Sequence, residues 1–154
     1  LDLNVLLREV LTLYESLAGW LSVELEANLP HIVGDAAQLR QVIHNLLQNA
    51  EDALAETRQP RIVVRSERIA GGIQVSIIDN GSGFPEKLMQ RAFEPYVTTK
   101  PKGTGLGLVI VKKIIEEHGG SVEIANVVPD GARVTLIFPA MATQTAAIKA
   151  VARA

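Results

Sequence analysis

The spacing of apolar residues changes repeatedly along the chain, and this alternation most limits how the chain can fold. Three stretches carry apolar side chains at the three-and-four spacing of a helix, and five shorter stretches are typical of strands. Their order is helix, strand, helix, strand, strand, glycine-rich segment, helix, strand, strand. Because most strands follow one another as hairpins, the helices must pack on one face of the sheet. The pattern therefore predicts a two-layer α/β sandwich.

The helices have recognisable ends. The first is predicted from Leu3 to Leu17, with Asp2 or Asn4 as its N-cap and Gly19 marking its end. The second begins after Asp35, with Gln38 placed as in a capping box. Its predicted core face consists of Leu39, Val42, Ile43, Leu46, Leu47, Ala50, Ala53 and Leu54. The third is predicted from about Thr104 to His118, stopping at Gly119-Gly120.

The predicted strands are short and bounded by turn residues. The first lies around Val23 and Leu25, with Leu21 as a further candidate. The others are Ile62–Glu67 and Ile73–Ile78, joined by Gly71-Gly72, and Val122–Asn126 and Arg133–Phe138, separated by Pro129-Asp130-Gly131. A glycine-rich segment from Gly81 to Lys102 contains one short predicted helix, Pro85–Gln90. Loops of that length are usually functional or disordered.

Charge is distributed unevenly. Residues 1–60 contain three arginines against nine acidic side chains, whereas residues 87–113 contain six basic side chains against Glu94 alone. A basic, glycine-rich stretch indicates a small anion as its partner. The whole chain has 15 basic and 17 acidic residues, a net charge of −2, which argues against nonspecific nucleic-acid binding.

Composition excludes further classes. Without cysteine the chain cannot be a disulfide scaffold. Its longest apolar run, near Leu108–Val111, falls far short of the roughly 20 residues of a membrane span, and no signal-peptide pattern is present. The sequence thus predicts a cytosolic domain that contacts neither membrane nor nucleic acid. A first residue, Leu1, that is not methionine leads us to expect a fragment of a longer protein.

The second helix carries candidate metal ligands. On a helical wheel Asn45, Asn49 and Asp52 share one flank beside the buried stripe, and His44 and Gln48 lie on the other with Glu51. Two asparagines four residues apart can aim carbonyl oxygens at one hard cation such as Mg²⁺. Asparagines on a half-exposed helix are more commonly just solvated, so the pair alone leaves both interpretations open.

The alternation of a strand puts Ile73, Val75 and Ile77 on one apolar face, and Asp79 continues the same alternation. A carboxylate is therefore predicted on the apolar face. A buried carboxylate needs hydrogen-bond donors, and an adenine amino group would be one. The next residues, Asn80-Gly81-Ser82-Gly83, leave room for a flat ligand against the backbone. Alternatively, Asp79 simply starts the loop as an Asx-turn.

A glycine run from Lys102 to Leu108 leads into the third helix. Free N–H groups and the helix dipole at such a position suit polyphosphate. The run lacks the Gly-Lys-Ser/Thr ending of a Walker loop and the third glycine of the dinucleotide fingerprint. It is either a flexible hinge or a phosphate cradle, and the neighbouring basic residues favour the cradle.

The three histidines, His31, His44 and His118, lack metal-ligand spacing, and no cysteine nucleophile or serine triad is present. Structural roles are predicted for all three. His118 is expected to pack and bond near the C-terminus of its helix. The residues therefore indicate a binding pocket rather than an attacking group.

Taken in order, four segments over about residues 1–139 resemble the ATP-binding catalytic domain of sensor histidine kinases, a superfamily shared with DNA gyrase, MutL and a heat-shock chaperone. Gln41 to Ala50 resembles the asparagine box, Asp79 to Phe84 the first glycine box, Phe93 to Tyr96 the phenylalanine box and Gly103 to Leu108 the second glycine box. The run from Phe93 to Gly103 is most similar to kinases of the nitrogen-regulation type.

The resemblance implies a Bergerat-type fold, with a mixed, mostly antiparallel sheet, three main helices on one face and a long ATP lid. Residues 1–140 would form the catalytic domain and residues 141–154 a helical or disordered tail. It implies Mg²⁺ on Asn49 and Asn45, with Asn45, Asn49 and Lys100 as catalytic residues. Nucleotide binding would fall to Asn49, Asp52, Asp79, Gly81, Gly83, Lys100, Lys102, Gly103, Thr104, Gly105, Leu106 and Gly107.

Three positions depart from the family pattern. Asn45 stands where the gyrase-like hydrolases have the glutamate that activates water, so efficient self-contained ATP hydrolysis is not expected. Asp52 stands where many histidine kinases have a lysine, so Lys100 or Lys102 would supply the phosphate contact. Gly131-Ala132-Arg133 replaces the pattern that carries a threonine contact to adenine.

The implied function is to bind ATP with Mg²⁺ and to donate the γ-phosphoryl group to a histidine on a separate dimerisation domain, from which a response regulator takes it. None of the three histidines has the context of that phosphoacceptor. The parent protein is expected in the bacterial inner membrane. The alternatives are an ATPase or anti-sigma-type serine kinase of the same superfamily, or a non-catalytic nucleotide-sensing module.

Overall fold

One mixed sheet organises the computed structural model, which describes residues 1–14, 19–91, 93–94 and 107–141. Its strand order is β1-β2-β3-β5-β4, with β1 parallel to β2 and the other neighbours antiparallel. The strands are β1 Leu21–Leu25, β2 Ile62–Ile69, β3 Gly72–Asp79, β4 Ser121–Asn126 and β5 Ala132–Pro139. The helices are α1 Leu3–Thr12, α2 Ala36–Ala53, α3 Glu86–Arg91 and α4 Gly107–Glu117.

A single core lies between one face of the sheet and helices α1, α2 and α4. On β3 the side chains of Ile73, Val75 and Ile77 are buried, as their period of two predicted. The predicted core face of α2 is buried except for Ala53, which is half-buried. The two-layer α/β sandwich with a mostly antiparallel sheet is therefore confirmed.

The helix N-caps follow local chemistry. The Asp35 carboxylate accepts the backbone N–H of Gln38 at 3.0 Å and begins α2, as predicted. Asp2 rather than Asn4 caps α1, accepting the N–H of Val5 at 3.3 Å. Asn4 is instead buried inside α1, where its side chain bonds to neighbouring groups. Each cap contributes about 1 kcal/mol.

The predicted end of the first helix at Gly19 is wrong, because α1 ends at Thr12. The N–H groups of Leu13 and Tyr14 bond to carbonyls three residues back, which tightens the last turn and stops the helix. Leu13 is 76% exposed, whereas Tyr14 turns inward and is buried. Leu17 lies outside the described residues.

The hairpin between β2 and β3 is shifted by one residue from the prediction. Its two loop residues are Ala70 and Gly71, and Gly71 has a φ of 77°, which glycine adopts readily. Gly72 belongs to β3, where a Cβ atom would lie 2.0 Å from the Phe138 carbonyl oxygen. Glycine is required there by the close approach of β5 rather than by the turn.

The predicted helix start at Thr104 and nearly all of the predicted tail fall outside the described residues. Of residues 141–154 only Met141 is described, and its N–H donates to the His31 carbonyl at 2.8 Å. In the described part of the chain, no helix has the length and apolar character needed to cross a membrane.

Candidate functional site

Asp79 ends the central strand β3 on the helix-facing side of the sheet, where the alternation placed it. The residue is only 7% exposed. One carboxylate oxygen, Oδ1, accepts the N–H of Gly81 at 2.9 Å, and the N–H of Ala132 on β5 also donates to the carboxylate. Burial raises the pKa of Asp79 above its usual value, and the two backbone donors oppose that rise.

The structure confirms the Asx-turn at Asp79, and the contact with adenine stays a prediction. A hydrogen bond to the N–H two residues later is an Asx-turn, so the residue does start the loop. A turn alone does not require the carboxylate to be buried, however, and burial of that charge is costly. An ionised carboxylate has about four lone-pair positions, so two backbone donors leave it able to accept from a ligand.

The loop after Asp79 lies directly against the last turn of α2. A Cβ atom on Gly81 would stand 2.4 Å from the carbonyl oxygen of Ala53, so no side chain fits at this position. Gly83 has a φ of +76°, a backbone conformation that favours glycine. The predicted glycines of this loop are therefore needed for close approach and for backbone conformation.

The candidate metal ligands lie on α2 beside the start of α4. Asn45 and Asn49 are half-buried, and the Asn49 side-chain nitrogen lies 3.8 Å from where a Cβ atom on Gly107 would be. Because Ala53, one turn after Asn49, contacts Gly81, three predicted segments meet at the C-terminal half of α2. Asp52 is exposed, and its carboxylate accepts a hydrogen bond from Gln48 at 3.2 Å.

Most of the predicted phosphate-binding residues lie outside the described part of the chain. These are Lys100, Lys102, Gly103, Thr104, Gly105 and Leu106, and their roles stay predictions. Gly107 is the first residue of α4, so this helix directs its positive end towards the side of α2 that carries Asn49. Of the phenylalanine box, the Phe93 ring lies against α4, 5.3 Å from Lys112 Nζ.

The described residues contain no group of three or more histidine, cysteine or acidic side chains that could enclose a metal ion. The candidate donors on α2 are therefore the amide oxygens of Asn45 and Asn49. Such a small set of hard oxygen donors suits Mg²⁺, which usually keeps several waters and shares oxygens with substrate phosphates.

The predicted structural roles of two histidines are confirmed. His118 Nε2 accepts the N–H of Asp35 at 3.0 Å, and Nδ1 lies 2.7 Å from the Ile114 carbonyl, so one neutral tautomer satisfies both contacts. This ring joins the end of α4 to the beginning of α2. His44 Nδ1 lies 2.6 Å from the Tyr14 hydroxyl. The pKa of Tyr14 is raised, mainly by burial and in second place by the negative charge of Glu51.

The long-range contacts of three residues in this region were not predicted from the sequence. Asn80 donates and accepts hydrogen bonds that hold the loop at Gln59 and Arg61. Asn126 bonds the backbone of Phe84, and Gly131 packs against Asp79. Asparagine and glycine near turns are so common that local sequence gave no sign of these long-range contacts.

The sequence is similar to a known protein family and to curated sensor histidine kinases. Residues 34–142 match the family model described as histidine kinase-, DNA gyrase B- and HSP90-like ATPase. An NtrY-like sensor histidine kinase of Rickettsia bellii is 45% identical over 68% of this chain and 17% of its own length. The sensor histidine kinase ZraS of Escherichia coli O157:H7 is 37% identical over 93% of this chain and 32% of its own length. The chain thus spans less than a third of these curated relatives.

The fold is also similar to those of solved histidine kinase structures. The nucleotide-free catalytic domain of the histidine kinase ThkA has a TM-score of 0.81 and 34% identity, covering 92% of this chain and 94% of that domain. Full-length ShkA, solved in complex with AMPPNP, has a TM-score of 0.75 and 28% identity, covering 93% of this chain and 32% of that protein.

Proposed function

The chain belongs to the family of histidine kinase-, DNA gyrase B- and HSP90-like ATPases, as a catalytic domain of the sensor histidine kinase type, and we propose that it binds ATP with Mg²⁺. It then donates the γ-phosphoryl group to a histidine of a separate dimerisation domain. The observation that carries the proposal is the buried carboxylate of Asp79, held by Gly81 and Ala132 at the end of β3.

At the base end of the site, Asp79 accepts a hydrogen bond from the adenine amino group. Its two backbone partners fix the carboxylate without using all of its acceptor positions. Gly81 and Gly83 carry no side chain that would fill the space beside the base. The binding of AMPPNP by the related ShkA supports an adenine nucleotide as ligand.

At the phosphate end, Asn49 and Asn45 would hold Mg²⁺ through their amide oxygens. The ion would supply charge neutralisation at the phosphates. The positive end of α4, beginning at Gly107, attracts the phosphates to the same side of α2. Lys100 and Lys102, with residues 103–106 and Asp52, complete the proposed nucleotide-binding set.

The transfer needs no nucleophile from this chain. An imidazole nitrogen of the acceptor forms a bond to the γ-phosphorus while the bond to the bridging oxygen breaks, and ADP leaves. Such transfer depends on positioning and charge neutralisation more than on covalent help. We assign the acceptor to a separate domain, since none of the three histidines has the sequence context of a phosphoacceptor. His118 and His44 are also engaged in structural hydrogen bonds.

The proposed setting follows from the same assignment. Residues 1–140 act as the catalytic domain in the cytoplasm, the parent protein is held in the bacterial inner membrane, and a receiver-domain aspartate of a response regulator takes the phosphoryl group from the histidine. The names of the relatives support a two-component sensor kinase.

Phosphotransfer in trans tests the proposal. The chain is incubated with labelled ATP, Mg²⁺ and a purified dimerisation domain from the NtrY-like group, and the product is assayed for acid-labile phosphohistidine. We expect labelling that Asn49→Ala abolishes. Steady phosphate release by the chain alone, lost in Asn45→Ala, would instead support an ATPase, and ATP binding without any transfer would support a nucleotide-sensing module.

A further inference from the structure

Asn126, the last residue of β4, holds the backbone of the loop that begins at Asp79. Its Oδ1 accepts the N–H of Phe84 at 2.7 Å, and its Nδ2 donates to the Phe84 carbonyl at 2.9 Å. One side-chain amide thus satisfies both backbone groups of a residue 42 positions away in sequence. This two-point contact fixes the position and the orientation of the Phe84 backbone.

The strand register connects Asn126 with Asp79. Asn126 pairs with Ala132 across β4 and β5, and Ala132 pairs with Asp79 across β5 and β3. The N–H of Ala132 also donates to the Asp79 carboxylate. Contacts among Asp79, Phe84, Asn126 and Ala132 therefore form a closed ring. The loop from residue 79 to residue 84 is held at both of its ends by neighbouring residues at one end of strands β3, β5 and β4.

Close packing leaves this loop little freedom while the contact is intact. A Cβ atom on Gly83 would stand 2.9 Å from Asn126 Oδ1 and 3.0 Å from the Gly131 carbonyl oxygen. The loop backbone thus rests on the Asn126 amide itself. Movement of Phe84 away from β4 would be transmitted through Gly83 to Gly81, whose N–H orients the Asp79 carboxylate.

We propose that Asn126 is a positioning residue that sets the base specificity of the nucleotide site. It acts through the loop, since a carboxylate held in one orientation accepts from the adenine amino group and rejects the carbonyl oxygen that guanine presents instead. Loss of the Asn126 contacts would let the carboxylate turn, and this would weaken adenine binding and discrimination together. The inference rests on the proposed function.

The test compares nonhydrolysable ATP and GTP analogues by calorimetry on the wild-type chain, Asn126→Ala and Val128→Ala. Val128 lies two residues from Asn126 and is 96% exposed, so its variant is the matched control. We expect Asn126→Ala to weaken binding of the ATP analogue about tenfold and to bring the two affinities closer together. We expect Val128→Ala to behave like the wild type.

The ratio of the affinities for the ATP and GTP analogues shows whether Asn126 positions the loop at the nucleotide site or only stabilises the fold. An Asn126→Ala variant that melts at a lower temperature but keeps the wild-type affinity ratio overturns the inference. If that variant does not fold, Asn126→Asp serves, because it keeps the acceptor for the Phe84 N–H and loses the donor to its carbonyl. We expect Asn126→Asp to reduce the ratio as well, and an unchanged ratio overturns the inference equally.

Hydrogen exchange at the Phe84 amide gives a readout that does not depend on nucleotide. We expect this amide to exchange faster in Asn126→Ala than in Val128→Ala, and equal exchange would contradict the contact on which the inference depends. A wild-type chain that binds neither analogue overturns the proposed function and this inference together. A wild-type chain that prefers the ATP analogue, with a variant that does so equally, overturns this inference alone.

Discussion

The Asp79 carboxylate accepts the backbone N–H of Gly81 at 2.9 Å, so the loop that Asp79 begins also orients its own side chain. Gly81 in turn contacts the carbonyl of Ala53 at the end of α2. The proposed base-binding end of the site is therefore in contact with the helix that carries Asn45 and Asn49. We expect a substitution at Gly81 or in α2 to affect both the proposed base-binding end and the proposed metal-binding end of the site.

Gly131 gives the first prediction. Its φ is +122°, and a Cβ atom there would stand 1.9 Å from the Asp79 carbonyl oxygen. Gly131→Ala combines an unfavourable backbone conformation with a clash against a central strand, so we expect a loss of about 2 kcal/mol or more in the free energy of unfolding. Urea denaturation measures it.

Gly19→Ala is the control for Gly131→Ala, because a Cβ atom on Gly19 meets no atom of the described residues within 4 Å. Its stability should stay within about 0.5 kcal/mol of the wild type, as for most surface changes. If the two alanine variants lost equal stability, the close packing of Gly131 on Asp79 would be contradicted.

His118 gives the second prediction, since its ring connects α4 to α2. His118→Ala removes the acceptor for the Asp35 N–H and the partner of the Ile114 carbonyl. At about 1 kcal/mol for each hydrogen bond, we expect a loss of about 2 kcal/mol in urea denaturation. His31→Ala is the control because the His31 side chain is exposed. Equal stability of the two variants would contradict the bridging role.

The pH dependence of stability gives the third prediction. Burial raises the pKa of Asp79 in the folded chain, so the folded state binds this proton more tightly than the unfolded state does. Asp79 therefore contributes stability that is fully present below its unfolded pKa of about 3.9 and is lost as the pH rises through the folded pKa.

The measurement compares the free energies of unfolding of the wild type and Asp79→Asn as the pH rises from about 4 to about 7. We expect the wild type to lose stability relative to the variant over this interval, because the buried carboxyl ionises only in the wild type. A difference that stays flat or changes in the opposite sense would show that burial does not dominate at Asp79.

Local sequence was sufficient for most of the fold. The apolar periods of α2 and β3 and the Asp35 cap depend on neighbours within one turn or one strand, and the structure confirms them. The first helix was extended too far because its apolar spacing continues past Thr12. After Thr12 the backbone bonds three residues back, and Tyr14 turns inward to His44, a contact between residues 30 apart that local spacing does not indicate.

The candidate site was predictable in part. Asp79 was visible because a charged residue fell on an apolar period, which is a local conflict. The contacts of Asn126 and Gly131 were not visible, because their partners lie far away in the sequence: Phe84 in the loop after β3, and Asp79 at the end of β3. The helical spacing of Asn45 and Asn49 made them candidate metal ligands but left simple solvation open. The family resemblance favoured the metal role, which stays a prediction.

A calorimetric titration with a nonhydrolysable ATP analogue, with and without Mg²⁺, tests the assignment of Asp79 to adenine most directly. It compares the wild type, Asp79→Asn and the exposed control Asp130→Asn. We predict micromolar to submillimolar binding by the wild type and the control, and binding at least about tenfold weaker in Asp79→Asn, since a hydrogen bond to a charged group contributes about 1.5–3 kcal/mol. No binding by the wild type, or equal binding by Asp79→Asn, would contradict the assignment of Asp79 to adenine.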